Sequence, residues 1–282
     1  MPELPEVETI CNKFRRGTDD TPSLIGKRVI AAELLWERTL AEPSPPEFKR
    51  RIIGQSITAI GRRGKYLLFH LNADTLVIHL RMSGDLWLET DAANIAPHHR
   101  LLLYLDDPAA ASAQPHHRLA FNDTRKFGRV WLVNDHQAML SHLGPEPLSD
   151  EFTPQLLYDR LQSRRRQLKP LILEQSFIAG VGNIYADEAL HRARLHPKIH
   201  SHILSFAQAE RLWESIRHVL REGIYREGAS IDWVYRGGDF QNYFQVYQRT
   251  GEPCYRCNTP IERIKVGQRS THFCPQCQPA PE

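Results

Sequence analysis

The sequence predicts an α+β protein built from a β-sandwich with flanking helices, a helical part and a small four-cysteine zinc ribbon. Short β-rich segments separated by Gly, Pro, Asn and Asp fill residues 24–133, which is typical of a sandwich or barrel. Helical periodicity follows from about residue 135. Four of the five cysteines then lie in the last part of the chain as two C-x2-C pairs. The succession of a β-rich region, a helical region and a cysteine-containing region predicts more than one domain.

Length and composition fit this organisation. The 282 residues are 41% hydrophobic and 24% charged, as in ordinary globular proteins, and are enough for two domains. No apolar run of about 18 residues and no charged-then-apolar leader is present, so we expect neither a membrane span nor export, and a cytoplasmic location. Residues 1–150 carry 18 Lys/Arg and 19 Asp/Glu, and residues 151–282 carry 18 and 14. The basic second half favours a polyanion partner or a solubilising surface, and because nothing in the sequence favours an oligomer we expect a monomer.

The first residues predict a helix from about 3 to 16. Apolar residues recur with helical spacing and the stretch ends near Gly17; they are Val7, Ile10, Cys11 and Phe14. We interpret Cys11 on this stripe as a packed side chain rather than a reactive thiol. Pro2 and the glutamates Glu3 and Glu6 suit a helix start.

Pro2 also has a chemical interpretation. If Met1 is removed, Pro2 carries a free secondary amine, and an α-amino group has a pKa near ~8, so much of it is deprotonated at neutral pH. Attack of such an amine on a carbonyl-level carbon gives an iminium directly. The helix start and the nucleophile are therefore alternatives that the N-terminus alone leaves open.

In the first domain, residues 1–133, the helix at 3–16 is followed by eight predicted strands that one further helix interrupts. The strands correspond to RVIAAELLW, SITAIGRR, KYLLFHL, TLVIHLRM, DLWLE, RLLLYLD, HRLAFND and RVWLV, and the further helix to PPEFKRRI. An exposed loop is predicted at 107–117. Residues 134–230 form the predicted second domain, with helices at 151–164, 170–177, 184–193 and 205–227. Residues 231–245 are predicted as a loop and 246–282 as the zinc ribbon.

The cysteines carry the most specific local pattern. Two C-x2-C pairs separated by sixteen residues predict one structural Zn²⁺ with four thiolate ligands rather than disulfides; the ligands would be Cys254, Cys257, Cys274 and Cys277. Arg269 lies between the pairs, on a predicted hairpin, where a guanidinium suits phosphate oxygens.

Three further motifs carry polar chemistry. Gly180-Val181-Gly182-Asn183 precedes a helix, so its N–H groups could bind a phosphate, although glycines also serve tight packing. Lys65 follows Arg62-Arg63-Gly64 at a strand turn, where it is either a functional ammonium or a solvated charge. Met82, and Arg125 with Phe127, follow strands beside Gly turns. Apolar wedges with an arginine fill the gap left by an extracted base, although taken singly Met82 and Phe127 are interpreted as core residues.

Taken together the motifs resemble the formamidopyrimidine-DNA glycosylase family. The matching stretches are PELPEVET, RRGKYLLF, HLRMSG, DTRKFG, HLGPEPLSDEF, KPLILEQ, AGVGNIYADEAL, VYQRTGEPCYRC and QRSTHFCPQCQ, which occur in order over nearly the whole chain. The resemblance implies a β-sandwich lobe, a helix-two-turn-helix domain and a zinc finger. It also implies a bacterial, nucleoid-associated enzyme that acts on double-stranded DNA with oxidised bases or abasic sites.

The resemblance implies a role for each matched residue. Pro2 is similar to the family's nucleophile, Glu3 to the acid on the sugar ring oxygen, and Lys65 to the lysine beside the lesion. The residues that fill the void and probe the opposite base would be Met82, Arg125 and Phe127. Asn183 and Arg269 match phosphate ligands, Arg269 being counted with the catalytic set, and Glu6 matches a residue near the lesion pocket.

Two points stay open within this interpretation. PELPE favours oxidised purines over oxidised pyrimidines, and a glycosylase for oxidised pyrimidines is the alternative. The loop at 231–245, which in the family caps the lesion, is shorter here than the family's pattern, so the loop does not distinguish between these two substrate classes. A binder of damaged DNA without catalysis would lack a reason for Pro2, Glu3 and Lys65, and a zinc-ribbon module would leave the N-terminus unexplained.

Overall fold

The computed structural model describes residues 1–19, 21–89, 94–106, 117–230 and 237–280. The chain forms two compact units. Of the described residues, the first contains Met1–Pro2, those of Glu6–Ser141 and Ser230, and the second contains Glu3–Pro5, His142–Ala229 and 237–280. None of the helices in these described ranges is long and apolar enough to cross a membrane.

Two sheets make up the framework of the first unit. In its described part the strands are β1 Arg28–Leu34, β2 Leu40–Glu42, β3 Ile57–Arg63, β4 Tyr66–Leu71, β5 Thr75–His79, β6 Gly84–Glu89, β7 His99–Asp106, β8 His117–Asp123 and β9 Arg129–Val133. One sheet has the order β1-β7-β8-β6 and is antiparallel throughout. The other has the order β2-β9-β5-β4-β3, in which β2 pairs with β9 in parallel. The sandwich that the sequence predicts is confirmed.

One hydrophobic core contains side chains of both sheets and of the first helix. The helices of this unit are α1 Leu4–Arg16, α2 Pro45–Ile52 and α3 His136–Leu140. Val7 and Phe14 of α1 are fully buried with Phe69 and Phe121 of the sheets, and burial of such a side chain stabilises a fold by about 1.5–3 kcal/mol. The apolar side chains of α1 therefore belong to the core of the sandwich, and the helix predicted at 3–16 is confirmed.

Cys11 is a packed side chain, as predicted. It is fully buried, and its Sγ donates to the carbonyl of Gly61 at 3.0 Å. Burial, and then the negative charge of Glu8, raise the pKa of the Cys11 thiol to about 12. The thiolate, which is the reactive form, is therefore suppressed.

The described part of the second unit contains four α-helices and a hairpin, together with two short 3₁₀ helices at Ser201–Ile203 and Phe240–Tyr243. The α-helices are α4 Pro154–Gln162, α5 Leu168–Ile172, α6 Asn183–Ala193 and α7 Phe206–Tyr225, and the strands of the hairpin are β10 Glu262–Val266 and β11 Arg269–Phe273. Thr153 caps α4 by accepting the N–H of Leu156 at 3.1 Å, and Ser205 with Gln208 forms a capping box at α7. Both α4 and α6 pack against α7.

The structure differs from the predicted elements at three places, of which the first is the short helix α3 His136–Leu140, where no helix was predicted. The three-residue strand β2 was not predicted, because a strand this short carries no alternating pattern. The helix predicted at 170–177 is instead Leu168–Ile172. The side chain of Gln175 accepts from the N–H of Gly180 and donates to the carbonyl of Val181 at 2.9 Å each, so this stretch turns where the periodicity suggested more helix. The loop predicted at 107–117 lies, apart from His117, outside the described residues.

Candidate active site and zinc centre

The start of α6 holds the carboxylate of Glu3. Glu3 is only 3% exposed, and its Oε1 accepts the main-chain N–H of Ile184 at 3.1 Å. The N–H of Leu4 donates to the carbonyl of Gly180 at 3.1 Å. The positive end of a helix dipole favours a negative charge at this position. Glu3 is therefore fixed in position by the helix and is not a solvated residue of an exposed helix start.

The two glycines before α6 are needed for packing against the N-terminal segment. A Cβ on Gly182 would lie 2.2 Å from Cδ of Glu3, and one on Gly180 would lie 2.5 Å from Cδ1 of Leu4. Gly180 also has a φ of +87°, which L side chains rarely adopt. Of the two interpretations of this turn, tight packing is confirmed. The N–H of Ile184, which the phosphate interpretation would have used, is taken by Glu3.

Asn183, the first residue of α6, contacts the hairpin of β10 and β11, which lies between the two cysteine pairs and is called the zinc hairpin below. Its Nδ2 donates to the carbonyl of Ser270 at 3.1 Å, and its Oδ1 has no hydrogen-bond partner among the described residues. Arg269, the first residue of β11, is exposed. The phosphate-binding roles of Asn183 and Arg269 stay predictions.

A buried ion pair that the sequence did not predict joins α5, α6 and β11. Nζ of Lys169 lies 2.6 Å from Oδ1 of Asp187, and both side chains are fully buried. Lys169 also donates to the carbonyl of Ser270 and to Oγ1 of Thr271, and Asp187 accepts the N–H of His272 at 2.9 Å. Burial lowers the pKa of Lys169 in spite of Asp187. A lysine just before a proline in the apolar stretch KPLIL was the available signal.

Glu188, next to Asp187, holds the segment that enters the zinc ribbon. Its carboxylate accepts the main-chain N–H groups of Gln245, Val246 and Tyr247 at 2.8–3.0 Å. Burial raises the pKa of Glu188, although these three hydrogen bonds oppose the shift. The motif containing Glu188 was recognised from the sequence. The role of Glu188 was not, because the N–H groups that it binds lie almost sixty positions later in the chain.

The four predicted zinc ligands converge. One ligand atom from each of Cys254, Cys257, Cys274 and Cys277 lies within 4.8 Å of all the others. The Sγ–Sγ distances between pairs include 3.4 Å, 3.6 Å and 3.9 Å. Sulfurs at about 2.3 Å from a tetrahedral zinc lie about 3.8 Å from one another, so these thiols fit one structural Zn²⁺. These four cysteines form one structural zinc centre within the described part of the chain.

Lys65 is buried in the first unit. It is 5% exposed, at the turn between β3 and β4, where Gly64 has a φ of +55°. The solvated hairpin charge is therefore excluded. The positive charges of Arg81 and Lys65, after burial, help to lower the pKa of His79 to about 3. Pro2 and Glu6 are buried in the same unit, and Glu6 is 2% exposed.

Met82 and Phe127 are exposed rather than part of the core. Their exposed fractions are 41% and 48%, so the core interpretation of each is wrong. The guanidinium of Arg125 lies 4.9 Å from the centre of the Phe127 ring, a cation–π distance. The first unit therefore presents an arginine and an aromatic ring together on one loop, and their void-filling role stays a prediction.

Asp123 organises that loop, which the sequence did not predict. The carboxylate is 1% exposed and accepts the N–H of Arg125 at 3.1 Å, the N–H of Gly128 at 2.7 Å and the hydroxyl of Ser83. A Cβ on Gly128 would lie 2.2 Å from Cζ of Phe121. The loop between β8 and β9 is thus closed around one buried carboxylate.

Three family models match successive parts of the chain. The formamidopyrimidine-DNA glycosylase N-terminal domain matches residues 1–130, and the H2TH domain of the same family matches 143–234. A zinc finger found in FPG and IleRS matches 251–280. The first match lies within the predicted sandwich domain and the third within the predicted zinc ribbon, while the second begins in the predicted helical domain and ends at residue 234.

Named proteins of the same family are similar over full length. The formamidopyrimidine-DNA glycosylase of Chloroflexus aurantiacus is 47% identical over 288 residues, covering 99% of this chain and 98% of the relative. MutM in complex with carbocyclic 8-oxo-G containing DNA superposes with a TM-score of 0.88 at 36% identity, and Lactococcus lactis FPG in complex with Fapy-dG containing DNA does so at 0.88 and 35%. Each of these two structural matches covers 99% of this chain and 100% of the other. The chain belongs to the formamidopyrimidine-DNA glycosylase family.

Proposed function

We propose that this chain is a bifunctional DNA glycosylase and AP lyase that removes oxidised purines through a Schiff base on Pro2. The observation that carries the proposal is the buried carboxylate of Glu3, the residue directly after Pro2. This carboxylate accepts a hydrogen bond from the N–H of Ile184. If the N-terminus served only to begin a helix, Glu3 would not need to be buried and hydrogen-bonded in this way.

The proposed reaction begins when Met1 has been removed and the Pro2 amine is free. The amine attacks C1′ of the damaged nucleotide, the N-glycosidic bond breaks, and the base leaves with the bonding electron pair. Glu3, in its acid form, protonates the ring oxygen, so the sugar opens and an iminium joins Pro2 to C1′. Loss of a proton from C2′ then expels the 3′ phosphate, and a second elimination expels the 5′ phosphate.

The other predicted residues receive roles that the resemblance implies. Lys65 works beside the lesion and its phosphate, and its burial supports a functional ammonium rather than a solvated one. Met82, Arg125 and Phe127 fill the void left by the flipped nucleotide. Asn183 and Arg269 bind the flanking phosphates, with Arg269 also assisting the catalytic set, and Glu6 lies near the lesion pocket. The zinc ribbon, through the four cysteines, holds the hairpin that carries Arg269.

Oxidised purines are the proposed substrates, in double-stranded DNA. Two similar solved structures contain 8-oxo-G and Fapy-dG DNA, and the PELPE opening supports the same class. We further propose that the protein acts as a monomer on nucleoid DNA in the cytoplasm, with domains at 1–133, 134–230 and 246–282. Residues 231–236 of the proposed capping loop at 231–245 lie outside the described residues.

Covalent trapping tests the proposal. Purified protein, shown by intact mass to lack Met1, is mixed with duplex DNA containing 8-oxoguanine opposite cytosine and reduced with borohydride. A covalent adduct that maps to Pro2 is expected, and Pro2→Gly, which replaces the secondary amine with a primary amine, should trap less. Intact DNA binding without any adduct, or an active enzyme that retains Met1, contradicts the proposal.

A panel of lesions separates the substrate classes. The same protein is offered 8-oxoguanine, formamidopyrimidine and 5,6-dihydrouracil, each opposite four bases, and scored for excision and strand cleavage. Preference for the purine lesions supports the proposal. Faster excision of dihydrouracil assigns the chain to oxidised pyrimidines instead while leaving the Pro2 chemistry intact.

A further inference from the structure

We propose that His191 is an outer-sphere ligand of the zinc centre, with its Nε2–H donating a hydrogen bond to the thiolate sulfur of Cys254. The two atoms lie 3.7 Å apart, within the range of a hydrogen bond to sulfur. Both residues lie in the second unit, and His191 is 1% exposed while Cys254 is fully buried. The inference concerns the metal centre and does not depend on the reaction proposed above.

The surroundings of the imidazole assign its proton to Nε2. The Nδ1 atom of His191 is buried and has no hydrogen-bond partner among the described residues. A proton on Nδ1 would therefore be a buried donor without an acceptor, which costs about 1–3 kcal/mol. With the proton on Nε2, the donor faces a sulfur that carries negative charge when zinc is bound. A neutral ring with its proton on Nε2 therefore places its one donor against the sulfur and leaves only an acceptor, Nδ1, without a partner among the described residues.

The zinc centre needs such donors because of its charge. Four thiolates around Zn²⁺ carry a formal charge of −2, and excess charge on sulfurs shielded from water must be offset by N–H groups. Cys257 and Cys277 are partly exposed, whereas Cys254 and Cys274 are fully buried. Sγ of Cys274 accepts the main-chain N–H of Cys277 at 3.4 Å. His191 supplies the corresponding donor for Cys254, so that each of the two buried thiolates has one.

The position of His191 on α6 gives this hydrogen bond a structural consequence. His191 lies in the last turn of α6, and the first turn of the same helix carries the N–H of Ile184 that binds Glu3. Asp187, between them, binds the N–H of His272 in the zinc hairpin. The zinc centre is thereby attached to α6 at its end as well as at its middle.

Replacement of the imidazole tests the proposal on the zinc-loaded protein. His191→Phe keeps an aromatic ring of similar size but removes the donor, and zinc affinity should fall about 10–100-fold, as is typical for loss of an outer-sphere partner. Affinity is measured by competition with a chromophoric chelator. Brief alkylation with iodoacetamide, followed by peptide mapping, should show Cys254 modified faster than in the wild type, because its sulfur has lost the hydrogen bond. In the Co²⁺-substituted protein the sulfur-to-cobalt charge-transfer band should shift.

His196→Phe is the matched control. His196 is also buried, and its ring lies 5.0 Å from that of Phe273 in the zinc hairpin, but its Nδ1 accepts the N–H of Lys198. This variant should leave zinc affinity, the rate of Cys254 alkylation and the cobalt band unchanged. Equal changes in both variants would assign the effect to packing and overturn the proposal, as would unchanged values in His191→Phe.

A measurement on the unaltered protein covers the case in which His191→Phe does not fold. Imidazole ¹⁵N chemical shifts of the zinc-loaded wild type report which ring nitrogen carries the proton. We expect His191 to be a neutral ring with the proton on Nε2, and in the ¹¹³Cd-substituted protein that proton should couple to the metal through the sulfur. A proton on Nδ1 alone overturns the proposal.

Discussion

The carboxyl group of Glu3 occupies the space in which residue 182 would carry a side chain. A Cβ built on Gly182 lies 2.2 Å from Cδ and 2.4–2.5 Å from the two carboxylate oxygens. Gly182 has a φ of −127°, which any residue adopts, so glycine is needed here for space alone. The position of the proposed acid and the identity of a residue almost 180 positions later are therefore linked.

Gly182→Ala should displace Glu3 while leaving the fold intact. The obstructed atoms form the end of a flexible side chain, so we expect a loss of only about 1 kcal/mol of stability. Excision of 8-oxoguanine should fall at least about 10²-fold, because the acid leaves its position. Single-turnover excision and binding to uncleavable abasic-analogue DNA are the measurements.

Gly61→Ala is the control for that substitution, since a Cβ on Gly61 meets nothing within 4 Å. A second control is a double-mutant cycle for stability. In a Glu3→Ala background Gly182→Ala should cost less than it does alone, because the obstructing carboxylate is gone. Equal costs in both backgrounds would mean that the two residues do not compete for this space.

Asp123→Asn should disorder the loop that presents Arg125 and Phe127. An amide keeps the shape of the carboxylate but cannot accept from both Gly128 and Arg125 as well as Ser83, so one buried group loses its partner at about 1–3 kcal/mol. Discrimination between cytosine and adenine opposite the lesion should weaken, which excision assays on the two duplexes measure. Asp135→Asn is the control, since the Asp135 carboxylate caps α3 by accepting the N–H groups of Gln137 and Ala138. Undiminished discrimination in Asp123→Asn would limit Asp123 to a packing role.

The residues that the sequence could predict carry their signal in local spacing. The cysteines and the stripe of α1 are of this kind, because ligand pairs and helical periods are short-range patterns. Asp123, Lys169 and Glu188 could not be assigned, since their partners are main-chain groups or charges brought close only by the fold. Lys65 and Phe127 stand between these cases. The sequence identified both motifs, but whether each side chain is buried or exposed depends on tertiary packing.

Removal of one member of the Lys169–Asp187 pair should be costly. Lys169→Met leaves the Asp187 carboxylate buried without its cation, and loss of about 3–5 kcal/mol is expected. Lys169→Met with Asp187→Asn should recover part of it, because no charge remains while the N–H of His272 keeps an acceptor. Urea unfolding of the zinc-loaded protein measures the loss of stability in the single and the double variant.

The control is Arg166→Met, which breaks the exposed pair with Glu174 and should cost about 0–1 kcal/mol. Equal losses in Lys169→Met and Arg166→Met would contradict this account of the pair.

Lys65→Ala should damage base excision more than binding. Loss of a positioned acid–base group lowers rates by about 10²–10⁴-fold, whereas one ammonium contributes little to a DNA interface with many phosphate contacts. Single-turnover excision is compared with affinity for abasic-analogue DNA. Lys49→Ala, at an exposed lysine of α2, should change neither. If affinity falls as far as the excision rate, Lys65 is a phosphate contact.

His79 should make the protein less stable as the pH falls from about 6.5 to 5. Burial, and then the positive charges of Arg81 and Lys65, lower the pKa of His79 to about 3 in the folded chain; its Nδ1 also accepts the N–H of Arg81 at 3.0 Å. The unfolded chain takes up a proton near pH 6.5 and the folded chain does not, so the free energy of unfolding decreases toward acid by up to about 1.4 kcal/mol per pH unit. Urea unfolding of wild type and His79→Gln at both pH values measures the difference. The variant should lose less stability between them, and an equal loss would show that His79 is not the group responsible.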